Sequence, residues 1–253
     1  MSSARLLVIA GHDPTGGAGV EVDRATAAHF GVEATTIVTA HTEQDGLRVS
    51  AVRPRAAGEW GREARQQLEP LPAAIKTGLL SSADDVRELV ALLALVPRDV
   101  PIVVDPVLAA SGGERFLTPD GIEWMRAELF RRGVILTPNL PELAQLSGAR
   151  LAALEASPAA RVVAAETLLA RGLGALVLKG GHAPDADACD VLLRPGKPPV
   201  LVSHPRLAGR RLHGSGCRFA SALAAQLALG RALPAATAAA SEHLHALLAA
   251  LPG

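Results

Sequence analysis

The sequence predicts an α/β protein: a mostly parallel central sheet with helices on both faces, forming a single domain over residues 1–253. Three observations carry that expectation. Short apolar runs of strand length alternate with helix-length segments along most of the chain. The runs are apolar throughout rather than alternating, as strands covered on both faces are. The 253 residues show no internal repeat, no long charge run and no linker, and suit one large α/β domain.

The expected strands are Leu6–Ala10, Thr35–Thr39, Ala74–Ile75, Ile102–Val104, Val134–Leu136 and Leu176–Leu178. Between the first two, Val20–Phe30 brings Val20, Ala27 and Phe30 near one helical face. Ala83–Val96 opens with Ser81 and Ser82 as candidate caps, and with Asp84 and Asp85 in the first turn, where the helix dipole favours carboxylates. Thr118–Phe130 begins with a cap followed by Pro119 at a first helical position. Pro138–Glu142 also reads as a helix start, and Arg161–Leu169, Phe219–Leu229 and Ala235–Leu248 follow. After Cys189 the rhythm changes. Asp190–Leu193, a Pro-Gly-Lys-Pro-Pro turn and Val200–Ser203 read as an antiparallel hairpin.

Composition narrows the function. The 25 basic and 25 acidic residues balance, so no global basic field invites nucleic acid or anionic membrane. Aromatics are 2% of the chain and tyrosine is absent, which leaves no platform for stacking bases. The run Leu6–Ala10 is too short for a signal peptide, and no apolar stretch reaches the roughly 18 residues of a membrane span. Cys189 and Cys217 form neither a disulfide framework nor a zinc motif, and the 8 histidines suggest no metal site. A cytoplasmic protein acting on a small molecule is expected, with no nucleic-acid or membrane partner.

The chemistry lies in loops at the carboxyl ends of the expected strands. Gly11–Gly19 follows the first strand and holds four glycines around its Asp13-Pro14 turn; it is neither a dinucleotide fingerprint nor a Walker A loop. It reads either as a tight turn or as a backbone that closely approaches a ligand. Gly214, Ser215 and Gly216 open a helix whose unpaired N–H groups can receive an anion. Cys217 stands in that first turn, where the dipole lowers a thiol pKa and a thiolate could accept a hydroxyl proton; a buried structural cysteine is the alternative. Asp105 and Glu142 follow strands and match the one or two carboxylates that Mg²⁺ uses in nucleotide sites, although each could also be a loop carboxylate or a cap. Lys179 precedes Gly180 and Gly181 and could reach a nucleotide phosphate.

Taken in order, Gly11-x-Asp13-Pro14-x-Gly16-Gly17-Ala18-Gly19, Thr39-Ala40 with Gln44, Lys76-x-Gly78, Asp105-Pro106-Val107, Thr137–Glu142, Lys179–His182 and His213–Cys217 resemble the hydroxymethylpyrimidine/phosphomethylpyrimidine kinase family of thiamine biosynthesis. The resemblance spans about Leu6 to Leu229 and implies a ribokinase-like three-layer sandwich. It implies a pyrimidine held by Gly11, Asp13, Ala18, Asp23, Gln44, Leu79 and Val107, with Gln44 hydrogen-bonding the ring. It also implies ATP along Asn139, Glu142 and Lys179, Mg²⁺ near Asp105 and Glu142, Cys217 as base, Gly214–Cys217 as anion hole, and a homodimer. A pyridoxal-type kinase and a non-catalytic ligand-binding relative are the alternatives. Four positions depart from the family pattern. Glu43 and Asp45 flank Gln44 and are expected to repel a phosphorylated substrate. Ser215 replaces a threonine. Arg218 replaces a small hydroxyl residue, and could hold phosphate or point to solvent.

Overall fold

The computed structural model describes residues 4–46, 48–110, 112–182 and 187–251; the side chain of His182 lies outside the described residues. The strands are β1 (Arg5–His12), β2 (Glu33–Gln44), β3 (Val49–Pro54), β4 (Ala74–Thr77), β5 (Ile102–Val104), β6 (Ile135–Leu136), β7 (Ala175–Leu178), β8 (Asp187–Arg194) and β9 (Lys197–Pro205). Among the described residues they form one nine-stranded sheet in the order β3-β2-β1-β4-β5-β6-β7-β8-β9. Pairings from β2 through β7 are parallel. Antiparallel β3 and the β8–β9 hairpin close the two edges.

The apolar strands are apolar because both their faces are covered. Along β1, Leu7 and Ile9 enter one core, while Leu6, Val8 and Ala10 enter the other. The first core packs against α2 (Ala57–Gln66), α3 (Ala83–Leu93), α4 (Pro119–Trp124), α5 (Leu140–Ser147), α6 (Leu151–Ala156) and α7 (Pro158–Leu169). The second packs against α1 (Gly19–His29), α8 (Ser215–Ala228) and α9 (Leu233–Ala249). Alanines fill the second layer: Ala220, Ala222, Ala224, Ala225, Ala236 and Ala240 are buried, which lets α8 and α9 lie close to the sheet and to each other. Leu6, Leu7, Val8 and Ile9 are fully buried, and burial of such a side chain contributes about 1.5–3 kcal/mol. No helix among the described residues is long and apolar enough to cross a membrane.

Local signals set the helix starts. Ser82 and Asp85 form a reciprocal capping box at α3, and Asp85 also accepts a 3.0 Å bond from the buried indole of Trp60 on α2. Thr118 caps α4 with Pro119 behind it. Past Trp124 the expected helix changes form, to a π-turn over Met125–Leu129 and a 3₁₀ turn over Phe130–Arg132. Gly133, left-handed at φ 74°, terminates it.

β1 lies between β2 and β4, so successive crossovers leave it in opposite directions. The crevice beyond the carboxyl ends of β1 and β4 is therefore the switch point at which open α/β sheets bind ligands.

Candidate active site

Two glycine-rich loops meet at that crevice. In the loop after β1, buried Asp13 accepts bonds from the Thr15 amide (2.9 Å), the Thr15 hydroxyl (2.8 Å) and the Ala18 amide (2.9 Å). Its Oδ2 also lies 2.9 Å from His213 Nε2. Burial raises the carboxyl's pKa, but the bonds from Thr15 and His213 outweigh it and hold the group below the usual carboxylate range. Asp13, expected against the substrate, thus spends its oxygens bracing its own loop against the loop before α8. Arg218 strengthens that contact. Its Nη1 donates to the carbonyls of Gly17 (2.9 Å) and His213 (2.8 Å). The guanidinium expected beside the nucleotide, or in solvent, instead staples two backbones. Burial pushes its pKa down.

Gly214 makes the close approach possible. It is left-handed at φ 71°, and a Cβ there would stand 2.3 Å from the Gly17 carbonyl. From it α8 departs. Ser215 N–H donates to Leu212 (3.2 Å), while the amides of Gly216 and Cys217 find no carbonyl among the described residues. A Cβ at Gly216 would lie 3.1 Å from Lys179 Nζ and 3.4 Å from Asp105 Oδ2. The start of α8 therefore faces a buried pair, Lys179 Nζ to Asp105 Oδ1 at 2.8 Å. Burial disfavours the Lys179 ammonium, but Asp105 and Glu142 overcome this and raise its pKa, so the charge persists.

Glu142 and Asn139 form the capping box of α5: Asn139 N–H donates to Glu142 Oε2 (2.8 Å), and Glu142 N–H donates to Asn139 Oδ1 (2.9 Å). Burial pushes the Glu142 carboxyl up; Lys179 opposes this and Asp105 adds to it. The Oδ1 of Asn139, a residue expected along the nucleotide, is taken by the helix cap.

On the other side of Cys217 lies a second pair. Lys76 Nζ bonds Asp23 Oδ2 at 2.7 Å, Ser221 Oγ donates to Asp23 Oδ1 at 2.7 Å, and both charged side chains are 0% exposed. Asp23, expected to touch substrate, is sealed in the core, because α1 and α8 close over it. Burial raises the Cys217 thiol to about 11; Lys76 and the Gly19 amide pull it down, while Asp23 and Asp105 push it up. The thiolate expected from the helix dipole is thus outweighed by desolvation and two carboxylates.

The remaining wall comes from β1, β2 and β4. Leu79 packs on Gly11, where an added Cβ would lie 3.2 Å from the Leu79 Cβ, and the Leu79 carbonyl accepts from Thr39 Oγ1 (2.6 Å). Ala18 follows the Asp13 brace. Val107 follows Asp105-Pro106 at φ 42°, a strained conformation for a β-branched residue. The long β2–β3 hairpin carries Gln44, whose Nε2 donates to Thr42 Oγ1 (2.8 Å). Gln44, Asp45, Arg48 and Glu114 line a cleft of ≈ 500 Å³. Strand alternation turns Glu43 to the other face, where it is exposed and accepts from Arg53 Nε (2.6 Å). The repulsion expected from Glu43 therefore loses its geometry.

Sequence reasoning missed the Asp23–Lys76–Ser221 cluster and the structural use of Asp13. A lysine directly after the apolar Ala74–Ile75 was the available signal, since a lysine carried into the core demands a partner.

A family model described as phosphomethylpyrimidine kinase matches residues 13–252. The chain is 34% identical over 241 residues to the hydroxymethylpyrimidine/phosphomethylpyrimidine kinase of Bacillus subtilis, covering 91% of this chain and 83% of that protein. It is 36% identical over 240 residues to the protein of the same name from Streptomyces coelicolor, covering 94% and 86%. An ADP complex of Bacillus subtilis pyridoxal kinase superposes with a TM-score of 0.83 at 27% identity, covering 95% of this chain and 90% of that one. The fold is the ribokinase-like α/β sandwich, and the chain belongs to the phosphomethylpyrimidine kinase family.

Proposed function

We propose that this family member transfers the γ-phosphoryl group of ATP to the hydroxymethyl group of 4-amino-5-hydroxymethyl-2-methylpyrimidine, and then to the resulting monophosphate, in thiamine biosynthesis. The observation that carries this reading is the start of α8. The amides of Gly216 and Cys217 have no carbonyl partner among the described residues, and Gly216 stands beside the Lys179 ammonium, with Gly214 against the glycine loop after β1. Donors aimed at one point stabilise charge that develops in a phosphoryl group in transit, and such transfers depend mainly on positioning and electrostatics. The names of the relatives and the ADP complex of a structural neighbour support ATP as the donor.

In the first step the acceptor hydroxyl oxygen bonds to the γ-phosphorus as the bond to the bridging oxygen of ADP breaks. The hydroxyl proton passes to the Cys217 thiolate. With the thiol near 11, thiolate is the minor form at neutral pH, so this step gains from rising pH. The second acceptor, an ionised phosphate oxygen, has no proton to give and needs no base.

Asp105 and Glu142 are the residues that would hold Mg²⁺. They are two buried carboxylates, Asp105 disfavours ionisation of Glu142, and among the described residues no cluster of three or more ligating side chains exists. That donor set suits an ion that takes one or two carboxylates with waters and phosphate oxygens. Bound there, Mg²⁺ offsets negative charge on the phosphates.

Gln44 favours the pyrimidine over pyridoxal. Its Nε2 is taken by Thr42, and its Oε1 has no partner among the described residues, leaving an acceptor for an exocyclic amine. A coupled ATP-consumption assay with the hydroxymethylpyrimidine, its monophosphate and pyridoxal side by side tests the reading. Turnover of the first two is expected. Turnover of pyridoxal alone would reassign the substrate, and turnover of none would leave a ligand-binding protein.

A further inference from the structure

We propose that Asp190 and Arg206 are positioning residues that set the turn after Lys179, and through it the affinity for the nucleotide phosphates; this rests on the kinase reading above. Lys179 leaves β7 with its amide bonded to the Pro138 carbonyl (2.9 Å) and its ammonium on Asp105. The next peptide units are gripped from two sides. Gly180 N–H donates to Asp190 Oδ1 at 2.8 Å. Arg206 donates to the carbonyls of Gly181 (3.1 Å) and Gly180 (3.3 Å), and to that of Asp187 (3.1 Å).

Asp190 is itself held. Its Oδ2 accepts from Ser241 Oγ of α9 at 2.6 Å. A Cβ at Gly180 would stand 2.3 Å from the Cys189 carbonyl oxygen, so the turn lies against β8 at backbone distance. Burial raises the Asp190 carboxyl, and its hydrogen bonds to Ser241 and Gly180 only partly oppose this. A carboxylate kept at such cost for a loop amide and a helix hydroxyl serves the loop's geometry. Neither Asp190 nor Arg206 is assigned a contact with substrate. They act through Lys179, whose misplacement by about 1 Å is enough to cost on the order of 100-fold in rate.

The test is steady-state kinetics with each substrate varied in turn, together with calorimetric titration of ADP, on wild type, Asp190→Ala, Asp190→Asn and Arg206→Met. Asp190→Ala should raise KM for ATP and Kd for ADP about 10-fold, with KM for the pyrimidine within about 2-fold. Asp190→Asn should recover most of the loss, because its Oδ1 still accepts from Gly180. Arg206→Met should shift the same constants in the same direction, and it keeps the inference testable if Asp190→Ala does not fold. Equal changes in both KM values, or lost activity that follows only the folded fraction, would overturn the clamp. Failure of wild type to bind ADP would instead overturn the kinase reading, and the clamp with it.

Discussion

Asp23–Lys76 and Asp105–Lys179 are both buried aspartate–lysine pairs, with N–O distances of 2.7 and 2.8 Å, and both bear electrostatically on Cys217. They differ in where their spare hydrogen-bonding capacity points. Asp23 gives its second oxygen to Ser221, and both partners are 0% exposed, so the pair is closed on itself. Asp105 keeps Oδ2 toward Gly216, at the start of α8, and Lys179 is 9% exposed. The first pair joins α1, β4 and α8 into a unit. The second stands at the edge of the space where phosphate is proposed to move. Burial and ion pairing alone do not mark a catalytic group; unused valence facing open space does.

Replacements can break or sharpen that contrast. The largest expected effect is Lys76→Met, which strands the Asp23 charge in the core and should cost about 3–5 kcal/mol in urea denaturation. Adding Asp23→Leu should recover much of this, as buried pairs often exchange for apolar groups at little loss. Asp105→Ala should lower turnover by about 10²–10³ with a smaller loss of stability. If instead it unfolds the protein as Lys76→Met does, the two pairs are alike and the contrast fails.

Cys217→Ala, between the pairs, should cut phosphorylation of the alcohol by about 100-fold and leave the monophosphate much less affected. The pH profile gives the same distinction. A base works only when unprotonated, so wild-type turnover of the alcohol should climb with pH toward the thiol value of about 11, while that of the monophosphate stays flatter. A flat profile for both acceptors removes Cys217 as base.

Arg218→Ser deletes two bonds to the half-buried Gly17 and His213. A loss of about 1.5–3 kcal/mol in denaturation is expected, with a raised KM for the pyrimidine. The smallest effect belongs to Glu43→Ala. Its ion pair with Arg53 is exposed, so stability should change by less than about 1 kcal/mol and the two acceptors should respond equally. Selective gain for the monophosphate would return Glu43 to the pocket.

The parallel core was legible in the sequence because Leu6–Ala10, Ile102–Val104 and Leu176–Leu178 are apolar on both faces. β3 and α2 were not. β3 is an edge strand with half-exposed residues, and α2 buries little beyond Trp60, Gly61 and Ala64, so neither carries a strong apolar period. At the site, Gly214–Cys217, Asp105 and Lys179 could be expected together from loops at strand ends, and the fold brings them together. The roles of Asp13, Asp23 and Arg218 were hidden, since each depends on a partner about 50 to 200 residues away along the chain: His213 for Asp13, Lys76 for Asp23 and Gly17 for Arg218. The Cys217 thiol was misjudged because helix position is a local property, whereas desolvation belongs to the finished core.

Trp60 sits between α2 and α3 with its indole on Asp85, and Trp124 ends α4 beneath the Arg87 guanidinium at 4.5 Å. Both belong to the layer opposite α8, and the chain has no tyrosine. The protein's ultraviolet emission is therefore a reporter of one helical layer. It should change when that layer melts and stay nearly constant when a pyrimidine or nucleotide enters, so unfolding can be followed optically in the presence of either substrate without a contribution from occupancy of the site.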